Sequence, residues 1–307
     1  MLLFLLFFNK IMLFPITFSI PEEKICNTYN EKTKILSSLI PGDVSTYIYK
    51  DEEEYYNEYK TSYFAITKLK GGWDCMRHYE ILANGCIPHF INIEKCPKNT
   101  LALLPKDLFI EASKLFNIFI CKNINKLTQK EISEYNVLRT KLWDYTKNYL
   151  TTTKMAKYVL QKIHKENTKK ILYLSGEIKP DYLRCSILHG LKTIFGTDCH
   201  DYPKIPHIYK LDNYDYSSLY GKGISYTNLL DPKLHDDQRD ATLIEDIHNK
   251  YYDIIIYGSY HRGIPHYDLI STVYNSNDII LFCGEDIHHC DCNDHVKKGH
   301  FVFVREL

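Results

Sequence analysis

The chain has 307 residues, which is long enough for two domains of ordinary size or one large α/β domain. Its 38 Lys and Arg residues balance its 38 Asp and Glu residues, so the chain lacks the basic excess that nucleic-acid binding requires. A hydrophobic fraction of 45% excludes broad disorder. We therefore expect a globular protein with no nucleic-acid partner.

The N-terminal sequence MLLFLLFFNKIMLFPITFSI is apolar enough to suggest a membrane anchor. A spanning helix needs about 20 apolar residues, and a Lys at its centre costs roughly 2.5–3.5 kcal/mol. Here Asn9 and Lys10 interrupt the run, Pro15 follows, and no basic flank precedes it as in a secretory signal. We favour an apolar leader followed by a buried strand that ends at Pro21. A membrane anchor and a true start at Met12 are the alternatives.

The ten cysteines are scattered along the chain, mostly beside apolar residues, and form no evenly spaced framework. Buried free thiols in a reducing compartment explain this distribution better than disulfides do. No Asn begins an Asn-x-Ser or Asn-x-Thr glycosylation acceptor. The sequence therefore predicts a cytoplasmic protein, with anchoring through residues 1–20 as the alternative.

In the first half, strand and helix signals alternate. Residues 31–60 are polar and acidic around KDEEEYYNEYK and predict a helix with a solvated face. SYFAIT predicts a buried strand, KLKGG a turn, and the following stretch a helix that Asp74 caps and Asn84-Gly85 ends. CIPHFIN predicts the next strand, and KLFNIFI is a further apolar segment. Residues 127–169 contain no Gly or Pro and predict one or two long helices.

The second half repeats this alternation. Buried strands are predicted in KKILYLSG, YYDIIIYGS, NDIILFCGED and HFVFVREL, because each contains a short apolar run bounded by turn residues. Helices are predicted between these strands at residues 181–195, 239–250 and 265–274. Such alternation favours an α/β fold with parallel sheets.

Arg77 and Glu80 are three residues apart, so on a helix both project from one face near its beginning. The start of a helix after a strand offers backbone N–H groups and a positive dipole end to an anion. Arg77 could clamp a diphosphate, and Glu80 could accept hydrogen bonds from the paired hydroxyls of a ribose. Gly85 and Pro88 would let the backbone pass close to the ligand. The alternative is an exposed ion pair worth about 0.2–0.5 kcal/mol.

The segment SYFAITKLKGGWDCMRHYEILANGCIP resembles the donor-binding segment of the exostosin-like glycosyltransferases. It is also similar, more loosely, to the Glu-containing stretch of other GT-B glycosyltransferases. The resemblance is dense over residues 62–90, and the matching positions are Ser62, Phe64, Gly72, Trp73, Arg77, Glu80, Ala83, Gly85, Cys86, Ile87 and Pro88.

This resemblance implies a nucleotide-sugar donor, and a UDP-sugar is the predicted class. Glu80 would lie near the ribose and Arg77 near the phosphates, and the other donor-binding candidates are Trp73, Gly85 and Ser62. The family usually needs no obligatory metal or other cofactor.

The resemblance also implies the GT-B fold, in which two Rossmann-like domains with parallel sheets surround a cleft. We place a donor-binding domain at residues 1–165, with an apolar leader at 1–14, and a second, acceptor or catalytic domain at 166–307. In the exostosin-like family the donor domain follows the acceptor domain, whereas here the donor-like half comes first. Either the second half plays the acceptor role in swapped order, or the chain is a rearranged or partial enzyme.

Three polar loops follow predicted strands of the second half: SGEIKPD, GSYHRG and GEDIHHC. Ligands bind beyond the carboxyl ends of parallel strands, and all three loops are expected at the same edge. His261 is the candidate general base because its reference pKa lies near neutrality, and Glu285 and Asp286 are further catalytic candidates. Arg262 and Ser175 are candidate contacts to the acceptor or a phosphate. The alternative for each is a solvated loop residue.

HHCDCNDH, residues 288–295, contains imidazole and thiol groups, which are good zinc ligands. Because Cys290 and Cys292 are separated by one residue and the chain has no C-x-x-C pair, we predict a polar turn there and no metal site. The resulting hypothesis is a glycosyltransferase that acts on a glycan or protein acceptor. The alternatives are a non-catalytic nucleotide- or glycan-binding relic of such an enzyme and a zinc-stabilised interaction module.

Overall fold

The computed structural model describes residues 12–28, 30–286 and 292–307. The strands of these residues are β1 (Leu13–Pro15), β2 (Lys34–Leu36), β3 (Ser62–Thr67), β4 (Ile87–Phe90), β5 (Ile171–Leu174), β6 (Cys199–Tyr202), β7 (Ile254–Tyr257), β8 (Ile279–Cys283) and β9 (Phe301–Val304). The α-helices are α1 (Glu52–Lys60), α2 (Met76–Ala83), α3 (Lys106–Phe119), α4 (Gln129–Tyr149), α5 (Thr152–Lys162), α6 (Tyr182–Phe195), α7 (Asp237–His248), α8 (Tyr267–Val273) and α9 (Cys292–Lys297).

Six strands form one parallel sheet in the order β1-β9-β8-β7-β5-β6, and β2, β3 and β4 form a smaller parallel sheet. From β5 onward the larger sheet has the 2-1-3-4-5 order of doubly wound folds, and its strand order reverses between β5 and β7. All residues of β5, β7, β8 and β9 are buried, which explains their continuous apolar sequences. The predicted α/β class with parallel sheets is confirmed.

β1 pairs with β9, so the N-terminal strand completes the sheet of the C-terminal half. A strand was predicted to continue to Pro21, but only Leu13–Pro15 form one, and these three residues are partly rather than fully buried. Beyond β1 the chain is buried from Ile16 to Pro21, and the backbone of Ile20 forms hydrogen bonds with Leu150 and Thr152 between α4 and α5. A boundary at residue 165 therefore does not separate the two sheets, because β1 lies before it in the chain but belongs to the same sheet as β5–β9.

One hydrophobic core joins the two sheets. It contains Phe64 of β3 and Tyr135 of α4 together with Ile171 of β5 and Phe303 of β9. Leu172 enters a second cluster on the opposite face of the larger sheet, since successive side chains of a strand point to opposite faces. The two sheets therefore share a core on one side rather than each burying its own.

Most predicted elements are present. The long helices of residues 127–169 are α4 and α5, and the three helices predicted in the second half are α6, α7 and α8. The apolar segment KLFNIFI forms the C-terminal end of α3, with Ile120 as its C-cap. β2 and β6 were not predicted, because KIL is short and CHDY lacks an apolar run.

α1 confirms the predicted helix with a solvated face, on which Glu53 and Glu54 are exposed, but it also has a buried face. Tyr55, Tyr56 and Tyr59 are buried on it, and so is Glu58. These positions recur three and four residues apart, which places them on one face of the helix. The helix thus begins with acidic residues and packs an aromatic face against the rest of the protein.

Two predictions concern the cysteines and the N-terminus. Eight cysteines of the described residues are free, but Cys283 is disulfide-bonded, so the prediction of free thiols is wrong there. Within the part of the chain that the structure describes, no helix is both long and apolar enough to cross a membrane. The alternative of an anchor at residues 1–20 falls largely on residues 1–11, which lie outside the described residues.

Candidate functional site

The carboxyl ends of strands from both sheets meet at one place. We call it the junction, and it consists of residues 71–74 after β3, 284–286 after β8 and 305–306 after β9. Gly71 lies against the Asp286 carboxylate and Gly72 against that of Glu306, so a Cβ at either glycine would overlap these groups. Without a Cβ, the two glycines let the loop after β3 come close to these carboxylates.

Two charged side chains at the end of β9 hold the loop after β3. Glu306 accepts hydrogen bonds from the backbone N–H groups of Trp73 at 3.1 Å and Asp74 at 2.9 Å. Arg305 is fully buried and donates to the carbonyls of Asp74 and Gly284 and to the Asp286 carboxylate. Asp286, which was predicted to be catalytic, is thus ion-paired with Arg305 and helps to position the loop.

Asp74 does not cap α2, contrary to the sequence prediction. The N-cap position is Cys75, and the Asp74 carboxylate accepts hydrogen bonds from the Phe18 backbone at 2.7 Å and the Tyr79 hydroxyl at 2.9 Å. Burial raises the pKa of Asp74 to about 7, although Arg305 and these donors act in the opposite direction. Asp74 therefore connects the N-terminal segment to α2.

Glu80 is a buried carboxylate on α2. Its Oε2 accepts a hydrogen bond from the Tyr55 hydroxyl and its Oε1 from the Ser225 hydroxyl, each at 2.7 Å. Burial raises the pKa of Glu80, and the two hydroxyls and Arg77 partly offset this rise. Both oxygens are thus matched to O–H donors, which is the pattern that two neighbouring sugar hydroxyls would supply.

Arg77 lies half-buried one turn before Glu80. Its Nε donates to the Tyr47 hydroxyl at 3.2 Å, while its buried Nη1 has no hydrogen-bond partner. A guanidinium N–H without a partner can donate to an anionic oxygen in a charge-assisted bond. The predicted alternative of an exposed Arg77–Glu80 ion pair is therefore wrong, since Glu80 is buried and bonded to two hydroxyls.

Two tyrosines that were not predicted from the sequence, Tyr55 and Tyr182, lie near Glu80. The Tyr182 ring packs against those of Tyr226, at 4.5 Å between centroids, and Phe18, at 5.6 Å. Burial and, next, the charge of Glu80 raise the pKa values of Tyr55 and Tyr182 well above the usual range. The one-face spacing of tyrosines on α1 was the signal that could have identified Tyr55.

Asp181 joins the loops that follow β5 and β7. Its Oδ2 accepts a hydrogen bond from Ser259 at 2.7 Å and is paired with Arg262 Nε at 3.1 Å. Its Oδ1 accepts the Arg184 backbone N–H at 3.0 Å and caps α6. Burial alone would raise the pKa of Asp181, but Arg184 and the other partners outweigh burial. The net result is a lowered pKa, which favours the charged carboxylate. Sequence reasoning assigned Asp181 no role.

His261 Nε2 lies against the Glu285 carboxylate across the loops that follow β7 and β8, and the two form an ion pair when the imidazole is protonated. Ser259 Oγ lies 3.3 Å from His261 Nε2. Burial lowers the pKa of His261 against the attraction of Glu285, so the imidazole can be neutral and accept a proton. Ser175, directly after β5, is buried, and its hydroxyl has no hydrogen-bond partner. The structure thus brings these residues together at the reversal of the strand order.

Of the remaining donor-binding candidates, Trp73 belongs to the junction, whereas Ser62 and Gly85 do not. Ser62 is at the amino end of β3, where its hydroxyl donates to the Glu58 carbonyl at 2.6 Å. Gly85 follows α2 with φ +63°, which confirms the predicted helix stop, and precedes the amino end of β4. The Trp73 ring stacks on Phe90 at 6.1 Å between centroids. Ser62 and Gly85 are therefore at the edge opposite the junction.

Tyr182 lies between two groups of candidate residues: Arg77 and Glu80 on α2, and the residues of the loops that follow β5, β7 and β8. It directly follows Asp181, and the charges of both Glu80 and Arg77 act on its hydroxyl. Gly284 completes the connection, because a Cβ there would lie 3.2 Å from Leu183 and 3.4 Å from Asp181. Arg77 and Glu80 thus lie on the same side of the molecule as the loops that carry His261 and Glu285.

The zinc alternative at residues 288–295 concerns a segment of which residues 288–291 lie outside the described residues. Cys292, at the start of α9, is buried and free.

Comparison with known proteins adds no family assignment to this geometry. No protein-family model matches the chain, and neither a curated protein nor a solved structure matches it significantly.

Proposed function

We propose that the protein is a glycosyltransferase that moves a sugar from a nucleotide-sugar donor to a glycan or protein acceptor. The observation that supports this most is the meeting of the carboxyl ends of two parallel sheets at the junction, since α/β proteins bind nucleotides beyond such ends. The GT-B arrangement that the resemblance of residues 62–90 implies would place the nucleotide sugar where such strand ends meet. Arg77 and Glu80 would then belong to the donor side.

Glu80 is the centre of the proposed donor site. Adjacent ribose hydroxyls would replace the hydroxyls of Tyr55 and Ser225, which now donate to its two oxygens at 2.7 Å. The unpartnered Nη1 of Arg77 would donate to the diphosphate. A UDP-sugar is the donor class that we propose.

In the proposed reaction His261 takes the proton of the acceptor hydroxyl while the acceptor oxygen bonds to the anomeric carbon of the sugar. The bond from that carbon to the phosphate oxygen breaks, and the diphosphate leaves with the electron pair. Arg77 would stabilise the negative charge that develops there. Glu285 would stabilise the imidazolium, as a carboxylate beside a catalytic histidine does. Ser175 and Arg262 would contact the acceptor or a phosphate.

The binding test uses isothermal titration with UDP and GDP. We expect Glu80→Gln and Arg77→Ala each to weaken UDP binding at least tenfold, because each removes a charge-assisted contact worth about 1.5–3 kcal/mol. Glu53→Gln is the matched control, since Glu53 is an exposed carboxylate on α1 and its loss leaves Kd unchanged. Equal Kd values for the wild-type protein and both site variants would overturn the proposal.

A non-catalytic nucleotide-binding protein is the second candidate. Two observations favour it. Both carboxylate oxygens of Glu80 are already hydrogen-bonded within the protein, and Gly71 packs directly on Asp286, so the junction is filled by the protein's own groups. Turnover separates the candidates. UDP binding that depends on Glu80, without transfer or donor hydrolysis by any sugar nucleotide, would favour the non-catalytic protein.

A further inference from the structure

A polar cluster that the proposed reaction does not use lies at the start of α7. His235 Nε2 is 3.3 Å from Asp240 Oδ2 and 3.5 Å from Asp237 Oδ1. One ligand atom from each of these three residues lies within 4.8 Å of the others. Ligands at about 2.1 Å from a tetrahedral ion are about 3.4 Å apart, so the three side chains have the spacing of metal ligands.

The other nitrogen of His235 is held by a buried carboxylate. His235 Nδ1 lies 3.0 Å from Asp201 Oδ1, which also accepts hydrogen bonds from Lys192 Nζ at 2.8 Å and the Tyr209 hydroxyl at 2.7 Å. With Nδ1–H donating to Asp201, His235 Nε2 faces Asp237 and Asp240, and its lone pair would bind a metal ion there. Histidines that bind metals are oriented by carboxylates in this way.

His200 on β6 is an independent observation at the same place. Its side chain is 1% exposed, and neither ring nitrogen has a hydrogen-bond partner. Its Nε2 nevertheless lies 3.0 Å from Asp240 Oδ1, and its ring stacks on His235 at 5.3 Å between centroids. Buried polar groups without partners are costly and rare in folded proteins. His200 is thus a buried, unpartnered imidazole aimed at one of the three proposed ligands.

We propose that His235, Asp237 and Asp240 bind one divalent transition-metal ion of the zinc class, with His200 as the positioning residue for Asp240. One imidazole and two carboxylates suit such an ion and leave a coordination position for water. Because Asp237 and Asp240 belong to α7 while Asp201 and His200 belong to β6, the ion would fasten the start of α7 to the edge strand of the larger sheet.

The test titrates Zn²⁺ into protein that has been treated with a chelator and dialysed. Since the histidines and cysteines of residues 288–295 could also bind zinc, the readout is the difference between variants. We expect His235→Gln to bind one equivalent fewer than the wild-type protein, and Asp237→Asn to bind that equivalent at least tenfold more weakly. His248→Asn changes an exposed histidine at the other end of α7 and should bind as the wild-type protein does.

A second readout separates metal binding from misfolding. Zn²⁺ should raise the Tm of the wild-type protein and of His248→Asn more than that of Asp237→Asn, because an ion that binds only the folded state stabilises it. The Asp237 side chain is 82% exposed, so this variant should fold normally. Equal zinc stoichiometry and Kd in the wild-type protein and Asp237→Asn would overturn the proposal. Mg²⁺ binding as tight as Zn²⁺ binding would contradict the zinc class.

Discussion

Asp74 lies in the donor-like segment of residues 62–90, but its contacts stabilise the fold and are not available to a ligand. Its carboxylate receives the Phe18 backbone and the Tyr79 hydroxyl, while the buried Arg305 lies beside it. Full burial nevertheless raises its pKa to about 7. Burial outweighs these partners because removing a carboxylate from water disfavours its charged form.

A pH-dependent stability follows from Asp74. The unfolded carboxyl ionises near pH 3.8 and the folded one near pH 7, so between these values the unfolded state loses a proton that the folded state keeps. The contribution of Asp74 to stability therefore decreases as the pH rises from about 4 to 7, by up to about 4 kcal/mol, and is constant above that range.

Urea unfolding of the wild-type protein and Asp74→Asn at several pH values measures this effect. The free energy of unfolding of the wild-type protein should fall relative to that of the variant as the pH rises. Asp107→Asn, at an exposed carboxylate of α3, serves as the control and should give a flat difference. A flat difference for Asp74→Asn would show that the folded pKa is not raised.

At the scale of elements, the segment Leu219–Tyr226 covers Glu80. Four of its residues have positive φ: Gly221, Lys222, Gly223 and Ser225. Lys222 donates to the Tyr49 carbonyl at 2.8 Å, and the Ser225 backbone donates to Glu52 at 2.9 Å. A residue other than glycine in this region of φ costs on the order of 1–3 kcal/mol, so these contacts hold the segment in an unfavourable conformation.

Ser225→Ala tests whether this segment competes with a nucleotide. The change leaves Glu80 Oε1 without its donor and should lower the free energy of unfolding by about 1–3 kcal/mol. Calorimetry should show tighter UDP binding, because ribose hydroxyls would restore the lost hydrogen bond. Ser218→Ala, at an exposed serine preceding the segment, is the control. Weaker UDP binding in Ser225→Ala would count against Glu80 as the ribose site.

At the scale of the whole molecule, the two sheets form one unit. Their residues share a hydrophobic core, and β1 brings the N-terminal segment into the larger sheet. The buried Arg305, after β9, also donates a hydrogen bond to the Asp74 carbonyl in the loop after β3. Removing one partner of a buried ion pair typically costs about 3–5 kcal/mol. Stability should therefore be a property of both sheets together.

Cooperative unfolding is the expected consequence. Both tryptophans, Trp73 and Trp143, lie in the first half, so their fluorescence reports on that half, while far-UV circular dichroism reports on the whole chain. The two urea transitions should coincide in the wild-type protein, and Arg305→Met should move both midpoints down together. Separate transitions would show that the halves unfold independently.

The local elements were largely predictable from sequence, and the contacts between them were not. The apolar runs of β5, β7, β8 and β9 identify buried strands because both faces of a parallel sheet are covered. The edge strand β6 escaped prediction, since the sequence CHDY packs polar side chains against a loop. Arg77 and Glu80 were identified by their spacing, but Tyr55, Asp181 and Ser225 were not, because they reach the site from distant positions in the chain.

The sequence by itself determined the α/β class, the positions of most helices and strands, and the turn at Gly85, because these depend on side-chain periodicity and on local backbone conformation. Only the tertiary structure decided that β1 joins β9, that Asp286 pairs with Arg305, that Ser225 lies on Glu80, and that His200, Asp201 and His235 gather around α7. Such contacts join residues far apart in sequence. They depend on how the packed elements bring chain segments together, which no local pattern encodes.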